Sequence, residues 1–172
     1  MRQDYHTHTF RCQHAQGDVM DYATVAVEKG LHVLGVTDHT PLPQPFPNAR
    51  WMMIRMDLSE LDNYDQAIES ARLAYPELTI LKGMECEYSA ELLPFYREEL
   101  LDKRKFDYLI VGNHFFPFGG KWIGTHSQIK ERSDLIAYAE HTIEAMASGI
   151  FTFIAHPDLF GNSYEFWDEH TS

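Results

Sequence analysis

The chain has little of what marks a secreted, membrane-spanning or nucleic-acid-coating protein. Only two of its 172 residues are cysteine, Cys12 and Cys86, too few for a disulfide framework in a domain of this size and suited to a reducing compartment. No apolar run approaches the roughly 20 residues that a membrane-spanning helix needs. The opening MRQDYHTHTF has neither the basic start nor the apolar stretch of a signal peptide. Positive charge is scarce as well, with 14 Lys and Arg against 26 Asp and Glu and a net charge of -12. Binding to a phosphate backbone or an anionic membrane surface favours the opposite balance, so neither nucleic acid nor membrane is an expected partner. A cytoplasmic protein is expected. What is present is ordinary globular composition, 44% apolar, 23% charged and 13% aromatic, together with ten histidines.

Apolar runs of strand type alternate with segments of helical period, and each apolar run ends in a residue able to bind metal. The first, about residues 3 to 8, ends in His6 and His8. Asp18 then caps a helix with Val19, Tyr22, Ala23 and Ala26 on one face and Gly30 as its stop. His32 to Thr37 is a second strand, leading into Asp38 and His39. Asp57 and Glu60 form a capping-box pair ahead of a helix marked by Leu58, Leu61, Tyr64, Ile68 and Tyr75. Leu78 to Gly83 is a third strand, running into Glu85 and Glu87. A helix over roughly Glu91 to Arg104 precedes the strand Phe106 to Val111, which leads to Asn113 and His114. Ile129 to Ser148 is a further helix with Leu135, Ala139, Ile143 and Met146 facing inward, and Ile150 to Ala155 is a fifth strand ending at His156. Repeated βα units imply an α/β fold with a parallel sheet, curled or open, in one domain over residues 1–172.

Between these elements, residues 40 to 56 carry Pro41, Pro43, Pro45 and Pro47 and exclude both a central strand and a helix interior. The segment is a long loop on the side of the sheet where the histidines gather, either a substrate-binding loop or an inert insertion.

His6 and His8, two apart in an extended segment, leave the same face and can chelate one ion. His39, Glu85, His114 and His156 each stand at the carboxyl end of a separate strand, the edge where parallel α/β folds build their sites. Imidazole with carboxylate suits zinc, iron or manganese, and this many donors exceeds the three or four that one catalytic zinc uses. More than one metal follows, with Glu85 the natural bridge between two cations. Glu87 shares the facing of Glu85 and is a ligand, a residue that orients one or a plain surface charge, with the orienting role favoured. Asp38 and Asp158 either orient imidazoles or cap strand ends. His14 lies in the first βα loop, close enough to join the cluster or to remain outside it. His126 is either a substrate contact or a solvated loop residue. His32 and His141 are expected to be structural, Cys86 buried, and Cys12 no part of the cluster. Arg11, Arg50, Arg55 and Lys121 either contact phosphate or sit as solvated charges, and Phe46, Trp51, Phe115 and Phe116 either line a pocket or pack in the core.

The ordered set DYHTHTFRCQH, VTDH, GMECEY, GNHFF and AHPD resembles the successive metal motifs of the PHP (polymerase and histidinol phosphatase) superfamily. TDHTPLP followed by RMDLSELDNY is similar to its stand-alone histidinol-phosphatases. The resemblance, over roughly residues 4 to 160, implies a distorted (β/α)7 TIM-like barrel with a site for two to three divalent metal ions. It implies that His6, His8 and Glu85 hold the first metal, Glu85 with His114 and His156 the second, and that His14 and His39 contribute to the third. It further implies hydrolysis of a small phosphorylated metabolite, L-histidinol phosphate, by attack of a metal-bridging hydroxide, with Glu85, His114 and His156 as the catalytic set. Arg50, Arg55 and His126 are the expected substrate-binding residues. A general phosphoesterase or nuclease of the same superfamily and an inactive metal-binding module are the alternatives. The family's late Asp-x-His has a counterpart in spacing at Asp168-Glu169-His170, but the preceding NSYEFW is no apolar strand, and a surface tail is expected there. The expectation is therefore an N-terminal part of a barrel of about 250 residues, ending after about five βα units.

Overall fold

A computed structural model describes residues 1–43, 53–166 and 168. Within it the chain gathers into two compact units, Met1–Glu85 with Pro94–Leu109, and Cys86–Leu93 with Ile110–Ser172. The proline-rich stretch 44–52, with Pro45, Pro47, Phe46, Arg50 and Trp51, lies outside the described residues, as does His170.

In the first unit, β1 (Gln3–Asp4), β2 (Val33–Val36) and β3 (Thr79–Cys86) pair in parallel in that order, with Gln3 beside Val33 and Val33 beside Thr79. The N–H of Asp107 bonds to the carbonyl of Lys82, which lays the start of β4 (Tyr108–Val111) along β3. All four residues of β2 are buried, the pattern of a parallel strand covered on both faces. Two helices supply cover. In α1 (Val19–Glu28), Asp18 and Asp21 form a reciprocal capping box, Val19, Ala23 and Ala26 are buried, and Gly30 follows the helix at a φ of 69°. Helix α2 (Leu61–Ala74) buries Leu61, Tyr64, Ile68 and Ala71. The expected pair Asp57 and Glu60 caps a short 3-10 turn, Leu58–Glu60, that leads into it. Leu58 belongs to that tighter turn and is 39% exposed, so it does not share the buried face.

The regular ladder of the first strand stops at Asp4, short of the expected His8. Beyond it Thr7 takes over, its N–H and hydroxyl bonding to Thr37 Oγ1 and the Gly35 carbonyl while its own carbonyl receives the Thr37 N–H. The helix expected over 91–104 is present but wound in three styles: a 3-10 turn, an α turn, and the π-helical segment Tyr96–Lys103 with Tyr96 and Leu100 buried.

In the second unit, the end of β4 pairs in parallel with β7 (Phe153–Ile154), Ile110 beside Phe153 and Val111 beside Ile154. Between them lie an antiparallel hairpin, β5 (Phe115–Phe118) with β6 (Lys121–Gly124), and α3 (Arg132–Ala147). The hairpin was not among the expected elements, although Gly119-Gly120, at φ of 58° and 74°, is the two-residue turn that its twist requires. The inward face of α3 also differs from expectation. Tyr138, His141, Thr142 and Ala145 are buried, while Ile143 is 67% exposed. Polar anchors decide the rotation: the Tyr138 hydroxyl donates to the Pro157 carbonyl at 2.9 Å, and Asn113 Nδ2 donates to Thr142 Oγ1 at 3.1 Å. Tyr138 also packs in a cluster with Phe116, Ile129 and Tyr164. Tyr164, just ahead of the expected surface tail, is thus core, and so is Phe116.

One close fit in the first unit is sensitive to a single methyl group. The Tyr108 hydroxyl donates to the Tyr5 carbonyl at 2.6 Å, and its ring passes over Gly35 and Gly83. A Cβ on Gly83 would stand 2.6 Å from Tyr108 Cζ and 2.7 Å from Thr37 Cγ2, inside van der Waals contact. Gly83→Ala is expected to cost about 1–3 kcal/mol, the usual penalty for overpacking, read as a lowered denaturant midpoint.

Candidate metal centre

The local backbone explains how the first unit assembles its histidines. Because Thr7 turns its hydroxyl toward β2, His6 and His8 both leave the opposite side, and their Nε2 atoms lie 3.0 Å apart. A 3-10 turn, Phe10–Cys12, capped by Thr9 and closed by Gln13 at a φ of 61°, returns the chain. That return brings the His14 ring to 5.0 Å from His8 and 5.2 Å from His39. His39 lies three residues beyond β2 but keeps its register, forming a parallel bridge with Glu85, whose N–H bonds to the Asp38 carbonyl. One carboxylate oxygen, Glu85 Oε2, consequently faces His6 Nε2 at 3.3 Å, His8 Nε2 at 3.3 Å and His39 Nδ1 at 3.0 Å.

These separations test whether a cation fits. Donor atoms held about 2.0–2.2 Å from one ion at tetrahedral or octahedral angles stand roughly 3.0–3.5 Å from each other. The pairs around Glu85 Oε2 have that spacing. Glu85 is 1% exposed, and an ionised carboxylate in such a place needs positive charge beside it. Burial, and then the neighbouring His8, hold the His14 imidazole below its ordinary pKa, favouring the neutral form that binds metal.

In the second unit, the N–H of His114 donates to Glu87 Oε2 at 3.0 Å, and His114 Nδ1 lies 2.7 Å from Glu87 Oε1. Both carboxylate oxygens thus fix one imidazole by its backbone and ring, leaving Nε2 as the second ring nitrogen. The His156 ring is 4.9 Å from that of His114. Asn113 and His156 sit at φ of 40° and 34°. This left-handed backbone is uncommon in any residue other than glycine and is frequently found at functional sites.

Other expected residues fall elsewhere. Asp38, fully buried, accepts the Thr9 N–H, the Thr9 hydroxyl and the Cys12 thiol; its nearest approach to an imidazole is 4.0 Å, at His8 Nδ1. Its main contacts are therefore with the Thr9 turn. Asp158 is exposed and opens a 3-10 turn. Arg11 is neither a phosphate contact nor a solvated charge. Its side chain is 1% exposed, paired with both Asp18 oxygens, and donates to Asn63 Oδ1 and Thr9 Oγ1. Arg55 is buried too, with Nη1 on the Thr40 carbonyl at 3.2 Å, where it supports the backbone just after His39. His126 and Lys121 are exposed, and Phe115 is half-buried. His32 accepts the Arg2 N–H at 3.3 Å, away from the cluster. Sequence reasoning missed Cys12, which lies directly behind the histidines; its spacing of four from His8, across a tight turn, was the available signal. Burial, reinforced by Asp38, pushes the Cys12 thiol far up.

With this geometry in view, the chain belongs to the PHP domain family, whose model matches residues 4–171. It is 31% identical over 164 residues to a Deinococcus radiodurans protein named "Probable histidinol-phosphatase", covering 91% of this chain and 60% of that protein. It is also 32% identical over 93 residues to the histidinol-phosphatase of Bacillus subtilis, covering 52% of this chain and 35% of that enzyme. The chain therefore spans 60% or less of the length of these two relatives. Among solved structures, a Lactococcus lactis histidinol phosphate phosphatase complexed with zinc, L-histidinol and phosphate aligns with a TM-score of 0.74 at 18% identity, covering 97% of this chain and 62% of that one. The likeness establishes the shared α/β fold.

Two outcomes follow from the placements above. Arg11→Ala strips a buried ion pair of its cation and is expected to cost about 3 kcal/mol, the lower end for such breaks because Asp18 is partly exposed, read as a lowered denaturant midpoint of the metal-free protein. His141, buried between Tyr88 and Trp122, is held by that burial below the ordinary value of 6.5. Between the two values the unfolded chain binds the extra proton, so stability falls as pH drops below about 6.5. In metal-free protein, His141→Phe should flatten the fall in Tm between pH 7 and 5.

Proposed function

We propose that the chain is part of a metal-dependent phosphomonoesterase that hydrolyses L-histidinol phosphate, and that both units belong to one PHP domain. The observation that carries this reading is the convergence of His6, His8 and His39 on a single buried oxygen of Glu85 at 3.0–3.3 Å. One family model running through residues 4–171 supports treating both units as parts of one domain. The names of the relatives, and the zinc, L-histidinol and phosphate bound by the Lactococcus protein, support the substrate.

In this reading His6, His8, His14, His39 and Glu85, with His114 and His156, hold two to three divalent ions, zinc, iron or manganese. Such ions supply an activated water near neutral pH and charge neutralisation on the phosphoryl group, the two needs of a very slow reaction. The chain's own residues do the rest. Glu85 brings negative charge to the donors while excluding bulk water from its own oxygens. Glu87 keeps the His114 ring from turning. Arg50 and His126 contact the substrate, and buried Arg55 holds the Thr40 carbonyl and so the position of His39. The aromatic and proline-rich loop 40–56 supplies selectivity between phosphate esters, since phosphate clamping is common to them all. Multiple cations also reconcile a net charge of -12 with an anionic substrate.

The test is performed on the intact protein, stripped and reloaded with zinc or manganese. Two to three ions per chain are expected, and phosphate release from L-histidinol phosphate should exceed that from p-nitrophenyl phosphate. Glu85→Gln and His39→Ala should lower kcat/KM at least 100-fold, about 3 kcal/mol of transition-state stabilisation, with His32→Ala unchanged. Replacing residues 43–50 with a Gly/Ser linker should lower the rate with histidinol phosphate much more than the rate with the aryl ester. Fewer than one ion per chain would sink the metal reading; faster cleavage of single-stranded DNA would transfer the assignment to a nuclease.

A further inference from the structure

We infer that Cys12 is a positioning residue that fixes the tautomer of His8, handing the imidazole to the metal through Nε2 by means of a relay that starts at Asp38. The inference rests on the reading of His8 as a metal ligand and concerns what stands behind that ligand.

Donors and acceptors around Cys12 decide the tautomer. Cys12 Sγ is fully buried and has three polar neighbours among the described residues: the N–H of His39 at 3.0 Å, Asp38 Oδ1 at 3.1 Å and His8 Nδ1 at 3.3 Å. A backbone N–H can only donate, so the sulfur accepts from His39. Asp38 accepts the Thr9 N–H and hydroxyl through its two oxygens, as an ionised carboxylate does. Sulfur and carboxylate are both acceptors, and a separation of 3.1 Å requires a hydrogen between them; the thiol must supply it. A thiol has one hydrogen. Once that hydrogen points at Asp38, His8 Nδ1 faces a sulfur lone pair and must bring its own proton. His8 is then the Nδ1–H tautomer, and its bare Nε2 is the atom that faces Glu85 Oε2 at 3.3 Å and His6 Nε2 at 3.0 Å.

Metal-bound histidines usually donate their second nitrogen to a carboxylate or carbonyl. Here a thiol stands between the imidazole and the carboxylate, because Asp38 is held back by the Thr9 turn at 4.0 Å from His8 Nδ1. The same sulfur takes the N–H of His39, so one atom adjusts two members of the cluster. Alanine at position 12 removes both contacts. Serine preserves the donor and the acceptor in a smaller group.

The experiment uses 15N-labelled, metal-stripped intact protein, with imidazole tautomers read from long-range 1H–15N correlations. His8 should be the Nδ1–H form in wild type and in Cys12→Ser, and should lose that single form in Cys12→Ala. Zinc titration should show Cys12→Ala weakened about 10–100-fold, the usual effect of losing a group that orients a ligand, with Cys12→Ser within a few fold of wild type. Cobalt-loaded wild type should lack a thiolate-to-cobalt absorption band. An Nε2–H tautomer for His8 in wild type overturns the proposal, as does undiminished zinc affinity in folded Cys12→Ala. A thiolate band overturns it in favour of Cys12 as a direct ligand. Should Cys12→Ala fail to fold, the wild-type tautomer and the serine variant still decide. A wild type that binds no metal refutes the metal reading, while the tautomer measurement remains a separate result.

Discussion

A carboxylate oxygen removed from water needs positive charge or hydrogen-bond donors beside it, and Glu85 Oε2 shares its place with three imidazole nitrogens at 3.0–3.3 Å, a spacing that fits a shared cation. The imidazoles reach it by two backbone routes. Two come from an extended segment that has left its ladder, and the third from a residue past the end of β2 that still keeps register with β3. The oxygen cannot move without disturbing both routes, because the Glu85 backbone is itself tied to Asp38 and Thr40. Several local oddities of the first unit serve that requirement. Thr7 imitates a strand partner with its side chain, Thr9 and Gln13 force a tight turn, and Asp38 is buried to hold that turn.

Support continues outward in layers of decreasing generality. Next to the imidazoles stand Cys12 and Asp38, which are polar and buried. Outside them, Arg11 is clamped between Asp18 and Asn63, and Asp18 is also the cap of α1, its carboxyl held below the usual range by Arg11 against the upward push of burial. The outermost layer is ordinary apolar packing of α1 and α2. The second unit uses a shorter version of the same scheme, in which Glu87 grips both the backbone and the ring of His114.

Much of this was legible in the chain because it depends on local rules. Asp18 and Gly30 bracket α1, Asp57 and Glu60 announce the turn into α2, and alternation puts His6 and His8 on one face. What escaped depends on partners distant in sequence. Arg11 looked like a loop cation because nothing local reveals Asn63, 52 residues away. The rotation of α3 was misjudged because hydropathy favours Ile143, whereas Tyr138 and Thr142 are drawn inward by Pro157 and Asn113. The hairpin at Phe115–Gly124 is the exception, since Gly119-Gly120 states it locally. Cys12 escaped because its spacing of four from His8 signals contact only once the tight turn between them is known.

The clamp on Arg11 has a further consequence for the energetics of the unit. It joins the turn that bears His14 to the cap of α1 and to the first half of α2, so opening of either helix releases the loop. Free energy flows equally in the reverse direction. An ion bound by that loop would stabilise the closed ensemble by mass action, and the amides of α1 and α2 would inherit part of that protection although no donor atom lies on either helix. Hydrogen exchange in two helices remote from the donors would then gauge occupancy.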